Sequence, residues 1–290
     1  MVGFFSLVFL LTMGINDANI VTPPLYQGKT SLETYIRNIT VRVIAAELMG
    51  SGTLLTVKAG KQKINFVLTS YSLIEHLKKI DVVKNEEGDQ RIVITYEDVC
   101  VTQGYVMGKK QEIVGITTYT AKVVHVNPSY NIALLQVKKP DAFQIGAVLY
   151  PDETLPEDTK LFHCGVPGAI NVGRSLLPIT EGKVEDTYMK NSNVVIRTSC
   201  MTFNGNLGGP VLLGNGMFIG MLIDITDDAK AEILPSYEIK RWANEIGLNW
   251  LFDPTAKVTM KQIREIPFMP KEMELLLRGE SYAGAPQTGL

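Results

Sequence analysis

The sequence predicts an all-β protein of two packed barrels closed by one helix, and two observations carry that expectation. Roughly a dozen short runs rich in Val, Ile, Leu and Thr recur at strand length, in two series separated by an acidic, proline-bearing stretch at 151–160 (PDETLPEDTK). Twenty-five glycines and 14 prolines punctuate the runs, as many tight turns require.

Taken in order, residues 15–35 read as a polar, proline-containing lead-in arm. From Ile39 the strand signal begins with ITVRVIAA, continues in TLLTV after Gly-Ser-Gly at 50–52, and returns in INFVLTS. A short helical patch follows at 73–79. Residues 80–92 begin apolar and turn charged, the pattern of an exposed hairpin or loop. Strands are expected at 91–96, 98–107, 112–126 and 132–137, then at 161–165, 177–184, 193–198, 210–213 and 217–225. A helix is signalled from Pro235, where Ser236 offers a cap and Ile239, Trp242, Ala243 and Ile246 follow as an apolar face. The stretch 252–290, with Pro254, Pro267, Pro270 and a helical pattern at 271–278, reads as an arm that wraps over the domain or onto a neighbour. The resulting division is 1–35 for an apolar N-terminal segment and arm, 36–150 for the first barrel, 151–251 for the second barrel with its helix, and 252–290 for the C-terminal arm.

Composition narrows the function classes. A 46% hydrophobic content supports a sizeable core, and 28 basic against 30 acidic residues leave no electrostatic footprint for nucleic acid. Gly108-Lys109-Lys110 is a solvated loop, and Asp224 with Asp227-Asp228 an exposed turn rather than a cation site. Cys100, Cys164 and Cys200 are odd in number, lack metal-ligand spacing and sit among apolar residues, so they read as buried free thiols. No cofactor or metal is expected. Residues 2–13 (VGFFSLVFLLTM) are uncharged and too short for a comfortable membrane span. They suit a signal sequence, a membrane anchor or a segment that packs into the protein or a partner, which leaves a secretory or membrane-anchored location open.

One constellation speaks to chemistry. Residues 196–222 run IRTSCMTFNGNLGGPVLLGNGMFIGML: a strand, a glycine-rich loop, and two apolar strands joined by Gly-Asn-Gly. Upstream stand Gly50-Ser51-Gly52 with Val67-Leu68-Thr69-Ser70-Tyr71-Ser72, and Asn131-Ile132-Ala133-Leu134-Leu135. Together these resemble the trypsin-fold, chymotrypsin-like serine proteases, closest to their HtrA-like, disulfide-poor branch, where the three landmarks read G-S-G…V-L-T-A-A-H, D-x-A-L-L and G-N-S-G-G-P. Cys164-Gly165-Val166-Pro167-Gly168, 180–184 and 234–236 follow in the family's order, so the resemblance covers about 36–247.

The resemblance implies two six-stranded barrels with a C-terminal helix. It also places Ser72 in the histidine slot, Asn131 in the aspartate slot and Leu207 in the serine slot. Acyl transfer by this fold needs a hydroxyl nucleophile, an imidazole base and an orienting carboxylate. The implied protein is a catalytically degenerate homologue, a pseudoprotease. Gly205, Asn206 and Leu207 form a residual oxyanion-hole loop, and Ser199 and Cys200 mark a former specificity pocket. His76, His125 and His163 read as partly exposed structural histidines. The expected role is a structural or interaction subunit that contacts protein partners through its terminal arms, with a cleft able to take an extended peptide through main-chain hydrogen bonds. A hydrolase with an unconventional nucleophile, such as a rewired Cys–His pair, and a peptide-binding regulator of active proteases are the alternatives.

Overall fold

The computed structural model describes residues 31–84, 90–107, 112–151, 154–167, 177–253 and 256–266. The apolar segment 2–13, the loop 108–110 and the helical pattern at 271–278 lie outside them.

The first six-stranded antiparallel barrel contains β1 (Thr40–Ala45), β2 (Leu48–Ala59) and β3 (Gln62–Ser70). A hairpin of β4 (Lys78–Lys84) and β5 (Gln90–Tyr96) stands apart from it as a two-stranded sheet. Then β6 (Val99–Met107), β7 (Glu112–Asn127) and β8 (Ile132–Val137) close the barrel in the order β1-β2-β3-β8-β7-β6. The second barrel holds β9 (Lys160–Cys164), β10 (Ile179–Lys190), β11 (Asn193–Met201), β12 (Pro210–Leu213), β13 (Phe218–Ile225) and β14 (Lys230–Pro235). It closes as β10-β11-β14-β13-β12-β9. The expected all-β fold of two six-stranded barrels with a short C-terminal helix is the observed one.

Strand periodicity explains how the barrels join. Side chains alternate across a strand, so a wall buried on both faces needs apolar residues at every position. In β3, Val67 points into the first barrel's core, while Ile64, Phe66 and Leu68 join a cluster shared with Cys164, Leu212, Phe218 and Trp242. Likewise Ala133 and Leu135 of β8 face inward, and Ile132 and Leu134 face the seam. The second barrel keeps its own core around Leu161, Ile196, Val211, Leu222 and Ile233.

Several elements differ from expectation. Residues 32–39 form a helix, α1 (Leu32–Ile39), where a polar arm running into a strand was expected. Ser31 caps it by accepting from the Thr34 N–H at 3.2 Å, and Tyr35, Ile36 and Ile39 are buried in the seam. The patch at 73–79 starts earlier: α2 (Tyr71–Ile74) passes into a 3₁₀ turn at Glu75–Leu77, and β4 takes over at Lys78. The strand β14 was not anticipated, and a glutamate, Glu232, stands at its centre. Glu232 is 4% exposed, and its carboxylate takes contacts from Lys190, Arg197 and Tyr188. The helix α3 (Ser236–Glu245) begins where expected, but Pro235 occupies the cap position. Ser236 lies in the first turn, its hydroxyl aimed at the Tyr150 carbonyl at 3.4 Å. The C-terminal stretch starts by packing: Val258 bridges to Ala59, and α4 (Met260–Arg264), closed by a Thr259–Gln262 capping box, buries Ile263.

The cysteines and histidines need correction as well. Cys164 and Cys200 are buried free thiols, in the seam and the second core respectively, and burial pushes them up to about 12 and about 11. Cys100 is exposed instead, since its position on β6 faces outward. Of the histidines only His76 is exposed; His125 and His163 are buried.

Candidate active-site cleft

Ser72, Asn131 and Leu207 all sit at the seam between the barrels, on a short helix, a turn and a loop respectively. Ser72 lies in the first turn of α2, exposed. Asn131 occupies the turn between β7 and β8 with φ of 49°, a left-handed backbone that asparagine tolerates better than most residues. Its Oδ1 accepts from the Ser72 N–H at 2.9 Å and from the Ser70 hydroxyl at 3.0 Å. Because Ser70 donates to Asn131, the 2.6 Å contact between the two serines is completed by the Ser72 hydroxyl donating to Ser70 Oγ. The asparagine amide crosses the seam, donating from Nδ2 to the Ile223 carbonyl of β13 at 2.7 Å. Only a side chain that accepts on one atom and donates on the other satisfies both sides.

Leu207 lies on the loop from β11 to β12, which the first barrel holds from across the seam. The Ser51 N–H donates to the Leu207 carbonyl at 3.0 Å, and the Ser51 hydroxyl donates to the Gly205 carbonyl at 2.7 Å. That same hydroxyl accepts from the Val166 N–H at 2.7 Å, and the Thr53 hydroxyl donates to the Gly208 carbonyl at 3.0 Å. Gly208 has φ of +88°, and a Cβ there would lie 2.2 Å from the Ser51 carbonyl oxygen, so glycine is required twice over. The Leu207 side chain is half-buried against the second barrel's core.

Asn206 is fixed from beneath. Its Oδ1 accepts from the Phe203 N–H at 2.9 Å, and its Nδ2 lies 3.1 Å from His163 Nε2. His163 Nδ1 is 3.1 Å from the Pro210 carbonyl, which can only accept. The proton therefore sits on Nδ1, and Nε2 receives the Asn206 amide. Complete burial pulls the imidazole down to about 4, so it is neutral near pH 7.

Ser199 and Cys200 sit side by side on β11 but face different surroundings. The Ser199 hydroxyl accepts from the Lys183 N–H at 2.9 Å, and Cys200 packs into the second core. Exposed Met201 and Phe203 follow them at the loop's start. A buttress that the sequence did not reveal supports the Asn131 turn. Tyr130 donates to Glu238 at 3.3 Å and receives Arg241 at 2.7 Å, Arg241 and Glu238 pair, and Asn193 Nδ2 reaches the Ser129 carbonyl at 2.7 Å. The Glu238–Arg241 spacing on α3 was the only signal for it.

The trypsin-like peptidase domain matches residues 50–221. Among solved structures, Rv3671c from M. tuberculosis H37Rv in an inactive form is 16% identical, covering 78% of this chain and 93% of its own, with a TM-score of 0.51. Deg5 is 21% identical over 72% of this chain and 89% of its own, also at 0.51. The serine endoprotease from Yersinia pestis is 16% identical over 77% of this chain and 68% of its own, at 0.50. These likenesses speak to the fold. No curated protein matches the sequence. The peptidase match begins at the Gly-Ser-Gly strand that grips the loop and ends just past the loop itself, spanning more than half of the chain, which belongs to the trypsin-like peptidase family.

Proposed function

We propose that this protein is a peptidase homologue that does not cut, a pseudoprotease serving as a structural or interaction subunit, with its inter-barrel cleft retained as a surface for an extended peptide. The observation that carries the reading is Leu207, whose isobutyl group occupies the loop position from which the fold's attacking oxygen would come. Leucine offers no electron pair. Ser72 takes no proton near neutral pH, and Asn131 has no charge to stabilise an imidazolium. Removing a catalytic triad lowers turnover by a factor on the order of 10⁶.

The rest of the cleft supports the same reading. A thiol attacks as its thiolate, yet burial holds Cys164 and Cys200 protonated. The imidazole beside Cys164 in sequence, His163, has both ring nitrogens engaged and stays neutral. The buried Cys164, Cys200 and His163 therefore supply neither the anion nor the base of a rewired Cys–His pair. Protein partners are assigned to the terminal segments 1–35 and 252–290 outside the packed helices, and an extended peptide to the cleft near Met201 and Phe203.

The test pairs an active-site fluorophosphonate probe with peptide hydrolysis. The wild-type protein and Leu207→Ser are both expected to stay unlabelled and inert, since the single change restores neither base nor carboxylate. Labelling of the wild type that a competing peptide blocks, or appreciable peptidase activity in Leu207→Ser, would overturn the reading.

A further inference from the structure

Among the described residues, the β4–β5 hairpin is the sheet that belongs to neither barrel. Its seven residue pairs run from Lys78↔Tyr96 to Lys84↔Gln90 without a bulge, and no third strand joins it among the described residues. The two strands are unequally covered. On β5, Ile94 is 9% exposed and Tyr96 packs against the first barrel. On β4, Ile80 and Val82 are 60% and 61% exposed. Neither outer edge has a partner strand among the described residues, and the more exposed apolar side chains lie on β4, since Val93 of β5 is 39% exposed. The β4 edge carries no proline and no bulge, and of the devices that commonly blunt an edge strand it has only charge, in Lys78, Lys79 and Lys84.

The pattern of charge on β4 selects an occupant. In an antiparallel pair, residues directly opposite one another share a face. If β4 meets a second β4 about a two-fold axis through Ile80, Ile80 faces Ile80 and Lys78 faces Val82. Lys79 then faces Asp81 twice, once on each side of the axis. Shifting the centre to Asp81 sets Asp81 against itself and Lys78 against Lys84, and centring on Val82 leaves Lys79 and Asp81 without opposite charges among β4 residues. Lys79 already lies 2.7 Å from Glu97, so the Ile80-centred register flanks one ammonium with two carboxylates.

We propose that the β4 edge is a self-association surface, which pairs antiparallel with β4 of a second copy of this chain, centred on Ile80, to form a continuous four-stranded sheet β5-β4-β4-β5. The contact covers exposed Ile80 and Val82 and satisfies the open backbone edge of both copies. A strand-to-strand contact of this length falls below about 1,200 Å² of buried surface, so the dimer is weak and concentration-dependent. It stands apart from whether the cleft cuts, because hairpin and cleft share no residue.

Sedimentation of the full chain in mild non-ionic detergent, up to about 100 μM, tests this together with hydrogen exchange at the same concentrations. Wild type is expected to dimerise reversibly, with amides of 79–83 exchanging more slowly as concentration rises. Lys79→Asp and Asp81→Lys should each weaken the dimer by about tenfold, by setting like charges opposite one another, and the double exchange should restore it. Val82→Pro should abolish it while leaving the barrels folded. A chain monomeric throughout the range, or a dimer indifferent to both single exchanges, overturns the proposal. A dimer whose protection maps away from β4 overturns it as well.

Discussion

Asn131 is bound to two opposite kinds of group, and that makes a charged replacement unfavourable. An aspartate there could still accept from Ser70 and Ser72, but its second oxygen would face the Ile223 carbonyl oxygen across 2.7 Å. Asn131→Asp is expected to destabilise the fold by about 1–3 kcal/mol, more at pH 7 than at pH 4, by denaturant unfolding. His163 sets a second pH dependence. Its unfolded value of 6.5 lies above the folded value of about 4, so between the two the unfolded chain binds the proton and the folded chain does not. Stability is then full above pH 6.5 and falls as pH drops toward about 4, by roughly 3 kcal/mol in all. Urea titrations should show this slope in the wild type and lose it in His163→Gln. Ser72, Asn131 and Leu207 could be singled out in the sequence because each sits inside a local run with its own spacing. The His163–Asn206 contact was not, since it joins residues 43 apart that meet only when β9 passes under the loop.

At the scale of elements, α1 is the strap that joins the barrels. Tyr35 donates its hydroxyl to the Gly146 carbonyl at 3.1 Å on the inter-barrel connection, and Arg37 donates to the Leu177 carbonyl at 3.1 Å before β10. Tyr35→Ala should cost about 3–5 kcal/mol by opening a cavity in the seam. Ser31→Ala should cost about 1 kcal/mol through loss of the cap. Calorimetry separates the two, with Tyr35→Ala giving the larger fall in Tm. The barrel strands were readable since β-branched runs such as INFVLTS need no tertiary knowledge. The α1 signal was present as well, in Leu32, Tyr35, Ile36 and Ile39 behind Ser31, but one turn's spacing over eight residues competes with the strand that follows directly. In β14, not anticipated either, Glu232 stands at the centre. Its burial is tolerable only because Lys190 and Arg197 come from other strands, and a linear reading has no access to that pairing.

For the whole molecule, the seam carries more than apolar contact. Ser51, one residue of the first barrel, binds Gly205, Val166 and Leu207 of the second, and Thr53 adds Gly208. Ser51→Ala removes the hydroxyl's two bonds and strands the Val166 N–H in a buried site, an expected loss of about 1–3 kcal/mol that chemical denaturation would register. The double-barrel outline followed from two series of strands and the 151–160 bridge; that one hydroxyl would stitch the two together did not follow from any motif.

That stitching has a consequence for biosynthesis. The glycine loop cannot reach its final shape until β2, made some 150 residues earlier, is already in place to receive it, so the N-terminal half acts as a template for the C-terminal one. Expressed separately, the half ending near residue 150 should retain native-like strands, whereas its companion should emerge with residues 202–209 open to protease until the missing partner is supplied.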